Sequence, residues 1–470
     1  MDYTPLVKKV SLPPKPQLFY RCLRKGSHPF LLESALFHPE IGRYSFVGSD
    51  PFLIFKSKGS SIELYENGRV CRHSGNPFDY LQKLLKRFQT KPLPAFPPFL
   101  GGAVGYFGYD LGWHLEKLPN EALDDLKLPD CYLAFYDRVV AVDHQTGEVF
   151  LASTGYPLAD DSERERRAVE RLKELEALLK ELPMEEDKIE EPVNKQEPVA
   201  LNSHFTEEEY CRAVQRAKDY IAAGDIFQVN LSQRFDAPLT ISPWELYARL
   251  SRINPAPFAA LLEFEGVAVV SASPERFLKL EGDRVETRPI KGTRPRGQDQ
   301  VSDRQLREEL WNSEKDRAEL VMIVDLERND LGRVCRFGSV KVEELFRLEE
   351  YATVFHLVST ISGRLQPGKD IVSVLKATFP GGSITGAPKI RAMEIIEELE
   401  PVKRGIYTGS LGYIDFSGRA DLNIVIRTFI IKDNRAYFQA GGGIVADSVP
   451  QKEYQETLDK AKALMNALGI

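Results

Sequence analysis

The chain has 470 residues, about three times the length expected of one domain, and its 43% hydrophobic and 28% charged residues fit a folded protein with a large core. A net charge of −7 argues against nucleic acid as the main partner, because phosphate binding needs a concentrated basic surface. The opening MDYTPLVKKV has no signal-peptide pattern and no apolar run could cross a bilayer; five scattered cysteines with no CxxC argue against a zinc site or disulfide framework, so no membrane and a cytoplasmic setting are expected.

Three stretches follow one another. Residues 1–155 alternate short β-rich runs with Gly and Pro, and FLLES, RYSFVG and YLAFYDRVVAV each read as a strand. In residues 156–203, ERERRAVERLKELEALLKEL has apolar residues at helical spacing amid mixed charge, which predicts a solvated surface helix. MEEDKIEEPVNKQEP then reads as an acidic linker. From residue 204 to 470 helices and strands alternate. Thr206 and Glu209 have capping-box spacing, so a helix starts there and ends near Gly224. IFQVNLSQRF reads as a strand, and Ser242 with Pro243 opens the next helix.

Four local patterns carry chemistry. In SEKDRAELVMIVDLERNDLG, a helix capped by Ser313, Asp316 and Glu319 lie three apart on one face; Glu453 and Glu456 repeat that spacing in QKEYQETLDKAKAL. Two such pairs meeting across helices would hold a hard cation through oxygen, whereas a lone pair ordinarily faces solvent. GGSITGAPK, with Pro388 near the first turn of a helix, would aim free N–H groups at an anion or simply make a tight turn. AGGGIVADS suits close approach of backbone to a ligand. In VVSASPERF, Glu275 sits just past a buried strand, where a partly dry carboxyl keeps its proton and serves as general acid. Lys291, in ETRPIKGTRPRG, is flanked by Arg288, Arg294 and Arg296; if these fold close they favour a neutral, nucleophilic amine, and otherwise the loop holds an anion by charge.

Together these strings resemble the chorismate-utilising enzymes, densely from Thr206 to Leu464 and more loosely before that, where LLES and GRYSFVG resemble the N-terminal region of the aminating branches. The resemblance implies an α/β (α+β) fold: a large sandwich of two antiparallel β-sheets with helices outside. It implies Mg2+ on Glu319 and Glu456, supported by Asp316 and Glu453, neutralising the ring carboxylate of chorismate. Glu275 matches the general acid, and His356 in VFHLVST an active-site histidine. Arg427 and Tyr413 match residues that hold the enolpyruvyl carboxylate, Gly441 and Gly443 backbone donors to it, and Thr385 lies in the substrate loop. Gln228 stands where water-adding members place a lysine base; an amide cannot take that proton, so the position implies amination. Lys291 in PIKGT matches the nucleophile of the aminodeoxychorismate branch, where anthranilate synthases usually read PIAGT. The chain has no glutaminase nucleophile turn, so a glutamine amidotransferase partner is expected to supply ammonia. Leu32, Glu33, Ser34, Arg43, Tyr44, Asn254, Pro255 and Phe258 match elements of a tryptophan pocket; an interface between the two halves of the chain is the other reading of the same positions.

Overall fold

A computed structural model describes residues 3–180, 182, 200–351 and 354–470. The acidic stretch MEEDKIEEPVNKQEP lies outside the described residues. Burial pattern decides how each strand is used. In Leu53–Lys58 the buried residues are Leu53, Phe55 and Ser57, a period of two that suits one covered face. In Gly102–Phe107, Cys131–Tyr136 and Arg138–Asp143 every residue is buried, as in strands covered on both faces. The run YLAFYDRVVAV is therefore not one strand but two. It breaks at Asp137, and its halves enter different sheets. The buried Asp137 carboxylate accepts hydrogen bonds from Arg171 and Arg167 of the helix Asp161–Leu179, which holds the crossover in place.

Among the described residues there are two sheets of twelve strands each, and the strand pairs within them are antiparallel. Neither sheet belongs to one part of the chain. In the first, Phe30–Glu33 pairs with Phe258–Phe264, joining five early strands to the later ones. In the second, Gly102–Phe107 pairs with Ser410–Asp415 in the same way. The stretches 1–155 and 204–470 are thus sequence regions that share both sheets. Phe30, Phe46, Tyr106, Tyr136, Leu262 and Tyr413 pack between the sheets, with both halves of the chain contributing.

Helices cover the outer faces. Glu207–Ala222 begins with a complete capping box of Thr206 and Glu209. Pro243–Ile253 begins at Ser242, whose hydroxyl accepts from the Glu245 N–H, and Glu314–Gly332 at Ser313, which accepts from Asp316. Asp161–Leu179 buries Ala168, Leu172, Leu175 and Leu179 together with Arg164, while most of its other charged residues stay exposed, as expected of a surface helix. No helix among the described residues is long and apolar enough to cross a membrane.

Candidate active site

The three glycines of AGGGIVADS end the strand Arg435–Ile444, which pairs with Gln228–Pro238 so that Gly441 faces Ser232 and Gly443 faces Asn230. Their small size makes room for particular side chains. A Cβ on Gly443 would lie 1.9 Å from Gln228 Nε2. A Cβ on Gly442 would lie 3.3 Å from Glu456 Oε1 and 3.4 Å from Glu453 Oε2, so both carboxylates of the helix Pro450–Leu468 converge over this strand. Gln228 Nε2 in turn donates to Glu319 Oε2 at 3.3 Å, which brings in the helix Glu314–Gly332. The Gln228 Oε1 atom is buried and has no partner among the described residues.

Glu319 from one helix and Glu453 and Glu456 from the other are thus brought to the same region around Gln228 and Gly442. Glu319, Glu453 and Glu456 offer only oxygen, which suits a hard divalent cation. They do not form a ready-made cage: among the described residues no group of three or more metal-binding side chains is close enough. Lysines balance them instead. Lys460 Nζ is 2.7 Å from Glu456 and also donates to the Gly441 carbonyl at 2.8 Å; Lys315 is 3.9 Å from Glu319. Burial pushes Glu456 up, but Lys460, then Lys315 and Lys291, outweigh it and hold its carboxyl below the usual range. Burial raises Glu319 and Glu453, each further raised by the charge of Glu456. Asp316 is committed to Arg294, at 3.1 Å.

Lys291 reaches this cluster from the strand Ile290–Pro295. Its Nζ donates to the Ser383 carbonyl at 3.1 Å. The flanking arginines do not crowd it. Arg288 pairs with Glu349 at 2.5 Å, Arg294 with Glu309 at 2.7 Å and with Asp316, and Arg296 with Asp303 at 2.7 Å. Each cation finds an acid on a neighbouring element, and so the sequence-based expectation is corrected. The Lys291 ammonium is still pushed down, chiefly by burial and with help from Lys460, against the opposing charges of Glu319, Glu275 and Glu456. Lys291 and Arg427 are both closely surrounded by protein, and each keeps part of its surface open to solvent.

Glu275 follows the fully buried strand Val267–Ser273. Its Oε1 accepts the Ser383 hydroxyl at 2.6 Å. Desolvation dominates its chemistry: burial raises the carboxyl to about 7, against Ser383, Lys291, the Ile290 N–H and Arg427, which all favour the anion. Relative to the ordinary value of 4.5 this is a preference of roughly 3 kcal/mol for the protonated acid.

Arg427 has a left-handed backbone, φ +52°, and no ion pair or side-chain hydrogen bond to any described residue. A part-buried guanidinium with no hydrogen-bonded acid is well placed to take an anion. His356 accompanies it, with Nδ1 2.8 Å from Thr293 Oγ1; burial, then the charge of Arg427, push His356 down to about 3, so it is neutral. Thr385 is fully buried and donates to the carbonyls of Gly381 and Gly382, shaping the loop from within.

Tyr413 does not join this site. It lies between the sheets, its ring 4.8 Å from Phe99 and 5.2 Å from Phe46, and it lines a separate cavity. Alternation along Ser410–Asp415 decides this, because Tyr413 points to the face between the sheets. Tyr407 is nearer the chemistry: it hydrogen-bonds Ser232, opposite Gly441. Sequence reading missed Ser383, Tyr407 and Lys460. GGSITGAPK marked the loop but not which hydroxyl points to the acid, and Lys460 one turn beyond Glu456 was the visible sign of its pairing.

The separate cavity has a volume of about 620 Å3. Leu32, Glu33, Ser34, Arg43, Tyr44 and Phe258 line it, as predicted. Asn254 and Pro255 do not; Asn254 ends the helix Pro243–Ile253, its N–H bonded to Leu250, and Pro257 takes the lining position. Glu33 turns its carboxylate toward Gln17 and Tyr247.

A family model for chorismate binding enzyme matches residues 36–466. The chain belongs to the chorismate-binding enzyme family. It is 42% identical to anthranilate synthase component 1 of Acetivibrio thermocellus, over 96% of this chain and 92% of that one. It is also 42% identical to aminodeoxychorismate synthase component 1 of Bacillus subtilis, over 97% and 94%. Among solved structures, anthranilate synthase component I from Streptococcus pneumoniae superposes with a TM-score of 0.77 at 35% identity, covering 91% of this chain and 93% of that one. This protein is a chorismate-utilising enzyme of the anthranilate and aminodeoxychorismate synthase group.

Proposed function

We propose that the chain is the synthase component of aminodeoxychorismate synthase, converting chorismate and ammonia to 4-amino-4-deoxychorismate for para-aminobenzoate and folate synthesis. One observation carries this reading: Lys291, whose ammonium is pushed down chiefly by burial, is joined through a single residue, Ser383, to Glu275, whose carboxyl burial raises to about 7. The neutral Lys291 amine forms a bond to C2 of the ring. Both ring double bonds shift by one position, the C4–O bond breaks, and the oxygen leaves as water with the proton of Glu275. Ammonia then attacks C4 and gives up a proton, both double bonds shift back, and Lys291 departs as the amine. The enolpyruvyl group stays in place.

Arg427 supplies the free cation for the enolpyruvyl carboxylate, and the neutral His356 adds no competing charge. Gln228 offers an amide where a water-activating base would stand, which suits ammonia as nucleophile. Mg2+ held by Glu319 and Glu456, with Glu453 and Asp316 behind them, would neutralise the ring carboxylate. A glutamine amidotransferase subunit delivers the ammonia, and cysteines that form no disulfide among the described residues suit the cytoplasm. The 620 Å3 cavity would take tryptophan, bound structurally or as inhibitor. Calorimetry with tryptophan tests this: heat of binding lost in a Ser34→Trp variant supports it, and no binding by the parent protein refutes it.

A second reading, anthranilate synthase component I, is favoured by the equal 42% identity to members of both branches. Incubation with chorismate, magnesium and ammonium separates the two. Aminodeoxychorismate supports the proposal, and anthranilate with pyruvate supports the alternative.

A further inference from the structure

The loop at residues 381–385, which carries Ser383, is held by a buried ion pair that the chemistry above does not use. Glu400 caps the C-terminus of the helix Lys389–Leu399, Arg404 follows it by four residues, and both side chains are buried. Glu400 accepts from Arg404 Nε at 2.8 Å and Nη2 at 2.7 Å, a two-point pairing that fixes the plane of the guanidinium. The guanidinium lies over the Tyr109 ring, 4.9 Å from its centroid. Its remaining donors reach two backbone carbonyls: Nη1 donates to Ile384 at 3.0 Å and Nη2 to Asn230 at 2.8 Å. Ile384 is the residue after Ser383. Asn230 belongs to the strand Gln228–Pro238, and its N–H donates to the Thr385 carbonyl at 2.7 Å. On the same strand the Ser232 N–H and hydroxyl donate to Glu400 Oε1 at 2.8 and 2.9 Å. One ion pair thus ties the loop that carries Ser383 to the strand that carries Gln228.

Two lysines hold carbonyls of the same stretch. Lys389, paired with Asp330, donates to Thr378 and Pro380 at 2.8 and 2.9 Å, and Lys291 donates to Ser383 at 3.1 Å. Lys291 differs from the other two cations because it must react. Once its nitrogen has bonded to the ring, it no longer holds the Ser383 carbonyl as a free ammonium. Lys389 anchors only the approach to the loop. Arg404 grips the residue next to Ser383, and its grip does not depend on Lys291.

We propose that Arg404, braced by Glu400, is a positioning residue that keeps the Ser383 hydroxyl on Glu275 when Lys291 leaves the Ser383 carbonyl for the ring. The inference rests on Lys291 being the nucleophile and Glu275 the general acid. Arg404 acts through the loop and not on the substrate. A lysine cannot replace it: an ammonium keeps the charge but has no planar fork to span Glu400 and two carbonyls on different elements.

The test is Arg404→Lys, assayed with chorismate, magnesium and ammonium. A second variant, Arg404→Met with Glu400→Gln, removes both charges together and keeps an acceptor for Ser232, so no buried charge is stranded. The readout is the alkaline limb of kcat/KM, which follows the Glu275 proton. Lys291, Arg427, Glu327 and the Ile290 N–H, which also act on Glu275, are unchanged in these variants. A Ser383 hydroxyl that no longer reaches Glu275 lets its carboxyl rise, so the limb should move to higher pH by roughly half a unit in both variants. Turnover should fall on the order of tenfold, with the KM for chorismate within about twofold. Adding Ser383→Ala to Arg404→Lys should move the limb no further than Ser383→Ala alone, because the same contact is already lost. An unshifted limb in a folded variant, shifts from the two sites that add, or loss of the fold in both variants assigns the ion pair to stability alone and overturns the proposal. Ser383→Ala by itself is the control. If it leaves the limb in place, the reading of Glu275 fails; if it shifts the limb while Arg404→Lys does not, only the positioning role fails.

Discussion

Ser383 donates its hydroxyl to Glu275 at 2.6 Å, and its carbonyl accepts from the Lys291 ammonium at 3.1 Å. The Ser383 hydroxyl favours the anionic form of Glu275, while burial favours the acid more strongly and sets it near 7. Removing the hydroxyl removes a brake. In Ser383→Ala the alkaline fall of kcat/KM, which reports loss of the Glu275 proton, should move to higher pH by roughly half a unit or more. On the proposed mechanism Lys291 must lose its proton to attack, and burial pushes its ammonium in that direction. A pH–rate profile that does not fall on the alkaline side would deny Glu275 the acid role.

Arg427 and Tyr413 make opposite predictions. Arg427 is a part-buried cation with no ion pair or side-chain hydrogen bond among the described residues, so Arg427→Ala should raise the KM for chorismate by roughly 10- to 100-fold, the worth of a charge-assisted hydrogen bond. Tyr413 packs against Phe99 and Phe46 and lines the other cavity, so Tyr413→Phe should leave chorismate KM within about twofold. Steady-state kinetics on the two variants checks both. A large KM effect at Tyr413 would return it to the substrate.

On the proposed reading, a magnesium requirement would turn on Glu456 and Glu319. Glu456→Gln or Glu319→Gln should abolish turnover at ordinary magnesium concentrations while leaving the thermal midpoint near that of the parent, since Glu456 is exposed and Glu319 only part-buried. Magnesium titration of activity is the measurement. Full activity in either variant would sink the assignment.

The sequence carried this site unevenly, for physical reasons. Periodicity and capping place elements, so Thr206, Ser242, Ser313 and the strand before Glu275 were legible. The i,i+3 acids were legible because helical spacing alone fixes their shared face. Partnering across the fold was not. Arg288, Arg294 and Arg296 sit beside Lys291 in sequence, yet Glu349, Asp316 and Asp303 on other elements claim them. Tyr413 was matched to the substrate by resemblance, and nothing in the strand pattern of LGYIDF reports which face looks into which layer. The break at Asp137 was hidden for a related reason: strands buried on both faces lose the alternation that marks a crossover. The pairing of both early and late strands in each sheet depends on contacts hundreds of residues apart, which no local pattern reports.

Lys291 decides between the branches, and product analysis of its variants is the most direct test. With chorismate, magnesium and ammonium, the parent enzyme should form aminodeoxychorismate and yield a trapped covalent adduct on Lys291. Lys291→Ala should lose the adduct and most of that product while still binding chorismate, and direct attack at C2 would appear as anthranilate. Lys291→Arg should be equally impaired, because a guanidinium stays protonated and cannot attack. A Lys291→Arg enzyme with near-normal turnover and unchanged product would contradict the account and favour anthranilate synthase component I.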